Sequence, residues 1–199
     1  MALACEPRFG SGSALSLTEF LSRIARSLGE AGVPFMLTGS LAAAYYGTPR
    51  ATQDIDLVID PGKPQLDRLL DLLLDSGLYV SREAAADALK HEGQFNAIDA
   101  TTGWKADLII RKGREFSRTE FGRRQSTALF GVELALATVE DLIIAKLEWS
   151  ELGDSELQRR DIAQLLEASG ESLDLAYVLK WIAELGLESA WAKVQRYRE

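Results

Sequence analysis

Two aspartates standing two residues apart at the head of an apolar run, Asp54-Ile-Asp56-Leu-Val-Ile-Asp60, constrain this chain more than any other stretch of it. On a strand, alternate residues share a face, so Asp54 and Asp56 project together while Ile55, Leu57 and Ile59 turn to a core. Neighbouring like charges at the start of a strand are unfavourable unless a cation lies between them, and hard oxygen ligands suit Mg²⁺ or Mn²⁺. Upstream, the apolar run Phe35-Met36-Leu37 breaks at Thr38-Gly39-Ser40 into a short alanine-rich helical segment. Gly39 and Ser40 then offer backbone N–H groups and a hydroxyl at a helix start, where phosphate docks. A strand, a turn and a second strand thus describe a metal-nucleotide site.

The remaining composition narrows the field. With 199 residues and 47% hydrophobic content the chain is long enough for one α/β domain with a helical extension. Its 30 acidic against 22 basic residues give a net charge of -8, which argues against sequence-independent binding to long nucleic acids. Cys5 is the sole cysteine and His91 the sole histidine, so neither a disulfide framework nor a Cys/His zinc cluster is expected. His91, in Lys-His-Glu-Gly at the end of a helix, reads as a solvated or capping residue. No run of about 18 uncharged apolar residues suggests a membrane span, the first residues lack a signal-like pattern, and a reducing cytoplasm is the expected location.

Taken in order, residues 1–14 read as a loose leader, residues 15–137 as the core of the domain, and residues 138–199 as a C-terminal helical subdomain. Ser16-Leu-Thr-Glu19 is a capping box opening a first helix that stops at Gly32. Strands are expected at 33–38 and 54–60, with the short helix 40–46 between them, and leucine-rich helix 64–76 and alanine-rich helix 82–90 follow. Phe95–Ile98 and Trp104–Ile110 read as two strands of a hairpin turned at Asp99–Gly103. In the second, Lys105, Asp107 and Ile109 share the face opposite Ala106, Leu108 and Ile110, which brings a third carboxylate, Asp107, to the rim of the sheet. The run 111–124 concentrates six basic residues and reads either as a solvated helix face or as a docking strip for a nucleotide tail or an RNA phosphate. A strand at 132–137 leads into the helix opened by Thr138-Val-Glu-Asp141, and three more helices finish the chain.

Gly39-Ser40, then Asp54-Ile-Asp56 on the next strand, then Asp107 on a later one, resembles the DNA polymerase β-like nucleotidyltransferase superfamily. Glu140-Asp141-Leu-Ile-Ile-Ala-Lys146-Leu and Arg160-Asp161-Ile-Ala-Gln164-Leu resemble the helical tail of its small bacterial members, the AbiEii-type toxins and their relatives. Arg160-Asp161 stands where many of those toxins carry Lys-Asp, and Gln164 where a further Asp is common. The resemblance implies an α/β (α+β) fold: a mixed sheet of nucleotidyltransferase type flanked by helices, with a C-terminal helical bundle. It implies catalysis by Asp54, Asp56 and Asp107, which would hold two Mg²⁺ (or Mn²⁺) ions, with NTP bound at Gly39 and Ser40. Lys146, a charge on an apolar helix face, is a candidate for steadying the triphosphate, with snorkelling to the surface as its alternative; Arg50 is a weaker phosphate candidate. The implied reaction moves an NMP from NTP to an RNA end, a protein side chain or a small molecule, in a toxin–antitoxin or resistance-type enzyme, with a cognate antitoxin-like partner in the first case. The alternative is a non-catalytic protein of the same fold that works by binding, in an antitoxin-like manner.

Overall fold

The computed structural model describes residues 11–48 and 52–198. In chain order these form α1 (Ser11–Glu30), β1 (Phe35–Thr38), α2 (Gly39–Tyr45), β2 (Asp54–Ile59), α3 (Lys63–Asp75), β3 (Tyr79–Val80), α4 (Arg82–His91), β4 (Gln94–Ile98) and β5 (Lys105–Ile110). There follow α5 (Glu115–Arg123), β6 (Gln125–Leu129), β7 (Val132–Leu136), α6 (Val139–Gly153), α7 (Glu156–Ser169), α8 (Leu175–Leu185) and α9 (Glu188–Arg198). The seven strands make one mixed sheet in the order β3-β4-β5-β2-β1-β7-β6. The expected α/β architecture, with helices flanking a mixed sheet and a helical C-terminal part, is the one observed.

Alternation decides which side of the sheet is covered. Ile55, Leu57 and Ile59 of β2, with Ala106, Leu108 and Ile110 of β5, point to a core that α1, α3 and α4 close with Phe20, Ile24, Leu66, Leu69 and Ala85. Each such side chain stabilises the fold by roughly 1.5–3 kcal/mol relative to exposure. The same cluster continues through Leu147 of α6, Ile162 of α7, Ile182 of α8 and Val194 of α9, so the helical tail shares its core with the sheet. The opposite face is different. Under α5 it carries only a small cluster, Met36, Val58, Phe121 and Ala137, and on β3, β4 and β5 it is left partly exposed, as the alternating burial of these strands records.

Several boundaries move from the sequence expectation. α1 begins at Ser11, ahead of the capping box and within the segment read as a leader. Residues 125–129, too polar to read as a strand, form β6, an edge strand paired antiparallel to β7 from Gln125↔Leu136 to Leu129↔Val132. The turn between them is Phe130-Gly131, both with positive φ, the geometry of a two-residue hairpin. His91 stays exposed in the last turn of α4, with Nδ1 3.0 Å from Asp87.

Candidate active site

The site lies where β1 ends and β2 and β5 begin, and strand register builds it. β2 and β5 run parallel with Asp54↔Lys105 and Asp56↔Asp107, while β1 and β2 pair Thr38↔Asp56 and β4 and β5 pair Asn96↔Asp107. Two rows therefore cross the exposed face of the sheet. One reads Asn96, Asp107, Asp56, Thr38; the other reads Tyr79, Ile98, Lys105, Asp54. Adjacent strands are about 4.8 Å apart, so Asp56 and Asp107 are immediate neighbours and Asp54 is one step along the same strand.

Gly39 makes room for this arrangement. Its φ is +68°, and a Cβ there would lie 2.6 Å from Cγ of Asp56. A side chain at that position would both strain the backbone and displace the carboxylate. The N–H of Ser40, at the start of α2, donates to the Asp56 carboxylate. Burial raises the Asp56 pKa, and the charges of Asp107 and then Asp54 add to this; Lys146, reaching in from α6, works against it. Asp107 also accepts a hydrogen bond from the Asn96 amide.

An ammonium occupies the space between the carboxylates. Lys105 Nζ is 3.2 Å from Asp107 and 3.4 Å from Asp54, with the lysine side chain 34% exposed. Among the described residues, no three His, Cys, Asp or Glu side chains are arranged as a metal cluster. The donor set nevertheless fits a hard divalent cation in its chemistry: three adjacent carboxylates, with a cation already drawn in among them.

The other sequence candidates divide. Lys146 does not snorkel: it is buried, 2.9 Å from Asp161 of α7 and 3.2 Å from Gln158. Its charge acts on Asp56 from behind the site. Arg50 lies outside the described residues. The basic run divides, because three of its six charges pair with carboxylates of the chain while Lys112 and Arg118 stay exposed. Arg111 pairs with Asp60 at 3.0 Å, Arg114 grips both oxygens of Glu148 at 2.5 and 2.6 Å, and Arg123 pairs with Glu140 and Asp141. Arg124 packs 4.2 Å above the Phe121 ring.

Two groups of residues escape a reading of the sequence alone. Lys105 and Asn96 show their role only through cross-strand register, which no local pattern contains. Asp141, read as part of a helix cap, is fully buried and accepts from Thr138 Oγ1 at 2.6 Å, Tyr177 OH at 2.5 Å and Arg123 Nε at 3.1 Å. Glu120 of α5 lies beside it; burial, and then the Asp141 charge, push its carboxyl up to about 8. A groove of about 660 Å³, lined by Arg23, Arg26, Asp99 and Thr101 among others, includes none of the three site carboxylates.

No protein-family model and no curated protein matches the chain. Solved structures do. The antibiotic-resistance factor ANT(2'')-Ia is 15% identical, with a TM-score of 0.61 over 94% of this chain and 100% of that one. An antigenic nucleotidyltransferase-like protein from Paracoccidioides brasiliensis is 19% identical, with a TM-score of 0.52 over 87% of this chain and 91% of its own. The lincosamide antibiotic adenylyltransferase LnuA, solved with lincomycin bound, is 13% identical, with a TM-score of 0.50 over 79% of this chain and 98% of its own. The fold of this chain is therefore of the nucleotidyltransferase type.

Proposed function

We propose that the chain is a nucleotidyltransferase that moves an NMP from NTP to a small cationic acceptor, releasing pyrophosphate. The observation that carries this reading is the in-register pairing of Asp56 with Asp107 beside the Gly39 turn. Two Mg²⁺ or Mn²⁺ ions held by Asp54, Asp56 and Asp107 would supply charge neutralisation at the α-phosphate when bound. Gly39 and Ser40 bind the β- and γ-phosphates through the Gly39 N–H and the Ser40 hydroxyl, the Ser40 N–H being held by Asp56. Asp107, oriented by Asn96, accepts the proton of the acceptor hydroxyl as its oxygen bonds to the α-phosphorus and the bond to the β-phosphate oxygen breaks. Lys146, paired with Asp161, favours the charged form of Asp56 against burial and the Asp107 charge.

The acceptor follows from charge. An RNA end would need a strip of free basic residues, and Arg111, Arg114 and Arg123 of the 111–124 run are paired with carboxylates of this chain. An acidic surface with an exposed Asp54 favours a cation, and two of the structural neighbours are antibiotic-modifying or antibiotic-resistance proteins. This reading is preferred to a toxin with an antitoxin-like partner, because Lys146 and Asp161, on which that likeness leans, form a buried pair that serves packing of α6 on α7. The test is to incubate the protein with Mg²⁺ and each α-labelled NTP, adding aminoglycosides, lincosamides or total RNA, beside Asp56→Ala. Label should pass to a small molecule only with the unaltered protein. Absence of label transfer and of pyrophosphate release in every mixture, with NTP binding unchanged in Asp56→Ala, overturns catalysis in favour of a binding role. Transfer to RNA alone overturns the choice of acceptor.

A further inference from the structure

Lys105 is the residue of the open face whose chemistry the proposed reaction does not use. It precedes Asp107 by one inward-facing residue, pairs across the strands with Asp54, and extends its ammonium to both carboxylates, 3.4 and 3.2 Å away. Its only other neighbours in the row are Ile98 and, beyond it, Tyr79, which offer no second anchor for a cation. The side chain is one-third exposed, so it can leave without opening a cavity.

We propose that Lys105 is a positioning residue that acts as a placeholder cation, holding Asp54 and Asp107 in the absence of metal and giving way only when nucleotide and metal arrive together. This rests on the nucleotidyltransferase reading above. A divalent ion alone must displace the ammonium from both carboxylates and leave it close to a like charge, which opposes binding. When a triphosphate accompanies the metal, the displaced ammonium gains an anionic partner, because four flexible methylenes let it swing from the carboxylates towards the phosphates. Metal and nucleotide thereby assist each other's binding by the same factor in either order. Lys105 is what makes the assistance large.

The experiment is Mn²⁺ binding followed by electron paramagnetic resonance, on the full chain, with and without a non-hydrolysable α,β-methylene NTP, for the unaltered protein, Lys105→Met, Lys105→Arg and Asp56→Asn. Thermal melting of each variant without metal verifies folding. Lys105→Met should bind Mn²⁺ alone about tenfold more tightly than the unaltered protein, a change of about 1.4 kcal/mol, and should lose most of the strengthening that nucleotide brings. Lys105→Arg should keep both properties near those of the unaltered protein. If Lys105→Met binds Mn²⁺ no more tightly than the unaltered protein while Asp56→Asn binds it poorly, the placeholder role is wrong and the metal site stands. Failure of all the folded proteins to bind Mn²⁺, even with nucleotide, overturns both readings.

Discussion

Two acidic clusters lie within reach of α6, and they are built from the same residue types to opposite ends. Around Asp141, near the start of that helix, every carboxylate oxygen has a partner: Thr138 and Arg123 on Oδ2, and Tyr177 on Oδ1. Arg123 in turn stacks 4.0 Å above the Tyr177 ring and reaches Glu140. This cluster ties α5, α6 and α8 together and is complete. Around Asp56 the opposite holds, since a half-buried carboxylate faces two others, with the Ser40 N–H and the charge of Lys146 acting on it. What separates them is pairing: Arg123 contacts Asp141 directly, whereas the ammonium of Lys105 is placed on Asp54 and Asp107.

The sharpest way to break this contrast is to neutralise each cluster in turn. Asp56→Asn should lower nucleotidyl transfer by about a thousandfold or more, roughly 4 kcal/mol of barrier, and yet raise the melting temperature of the metal-free protein by a few degrees, because it removes a like charge from Asp107. A calorimetric scan paired with a pyrophosphate-release assay measures both; a lower melting temperature would contradict the claim that the site is held against repulsion. Asp141→Ala should do the reverse. It strands Arg123 and Tyr177 and should cost about 3–5 kcal/mol in urea unfolding, with any loss of activity following the loss of folded protein.

Gly39→Ala tests the seam between fold and site. A left-handed φ of +68° and the approach to Asp56 together should cost about 1–3 kcal/mol, and the displaced carboxylate should weaken Mn²⁺ binding in the protein that remains folded. The last test concerns Glu120, next to the complete cluster. Its carboxyl titrates near 8 in the fold, against 4.5 for the ordinary group. The folded state therefore holds a proton that the unfolded state has released over this window, and stability is fully present below pH 4.5 and declines as pH rises towards 8. The slope is at most about 1.4 kcal/mol per pH unit. Glu120→Gln should flatten that decline in urea midpoints taken from pH 5 to 8, and an unaltered slope would remove Glu120 as its source.

Much of this contrast is legible in the sequence, for physical reasons that differ by element. The sheet strands Asp54–Ile59 and Lys105–Ile110 announce themselves because alternation of polar and apolar residues is a local property, and it also fixes which face Asp54, Asp56 and Asp107 occupy. The helices after Thr138 are marked by caps and periodic leucines. What stays hidden depends on neighbours distant along the chain. The pairing of Lys105 with Asp54 needs the parallel register of β2 and β5, and the burial of Lys146 needs Asp161 on α7. The fate of the basic run shows the same limit, since its arginines look solvated until Asp60, Glu148 and Asp141 are brought to them. β6 escapes because an edge strand need not be apolar.

The register of β2 against β5 has a further consequence. Because side chains alternate, a single residue inserted into β5 just before Asp107, with the start of the strand held in place, would itself take the place of Asp107 on the open face and send the carboxylate into the core. Two residues added to the turn at 99–103, outside the strand, would leave every facing intact. The chain can thus vary in length around its site only where parity is free, and the strands that carry the aspartates behave as a reading frame with a period of two.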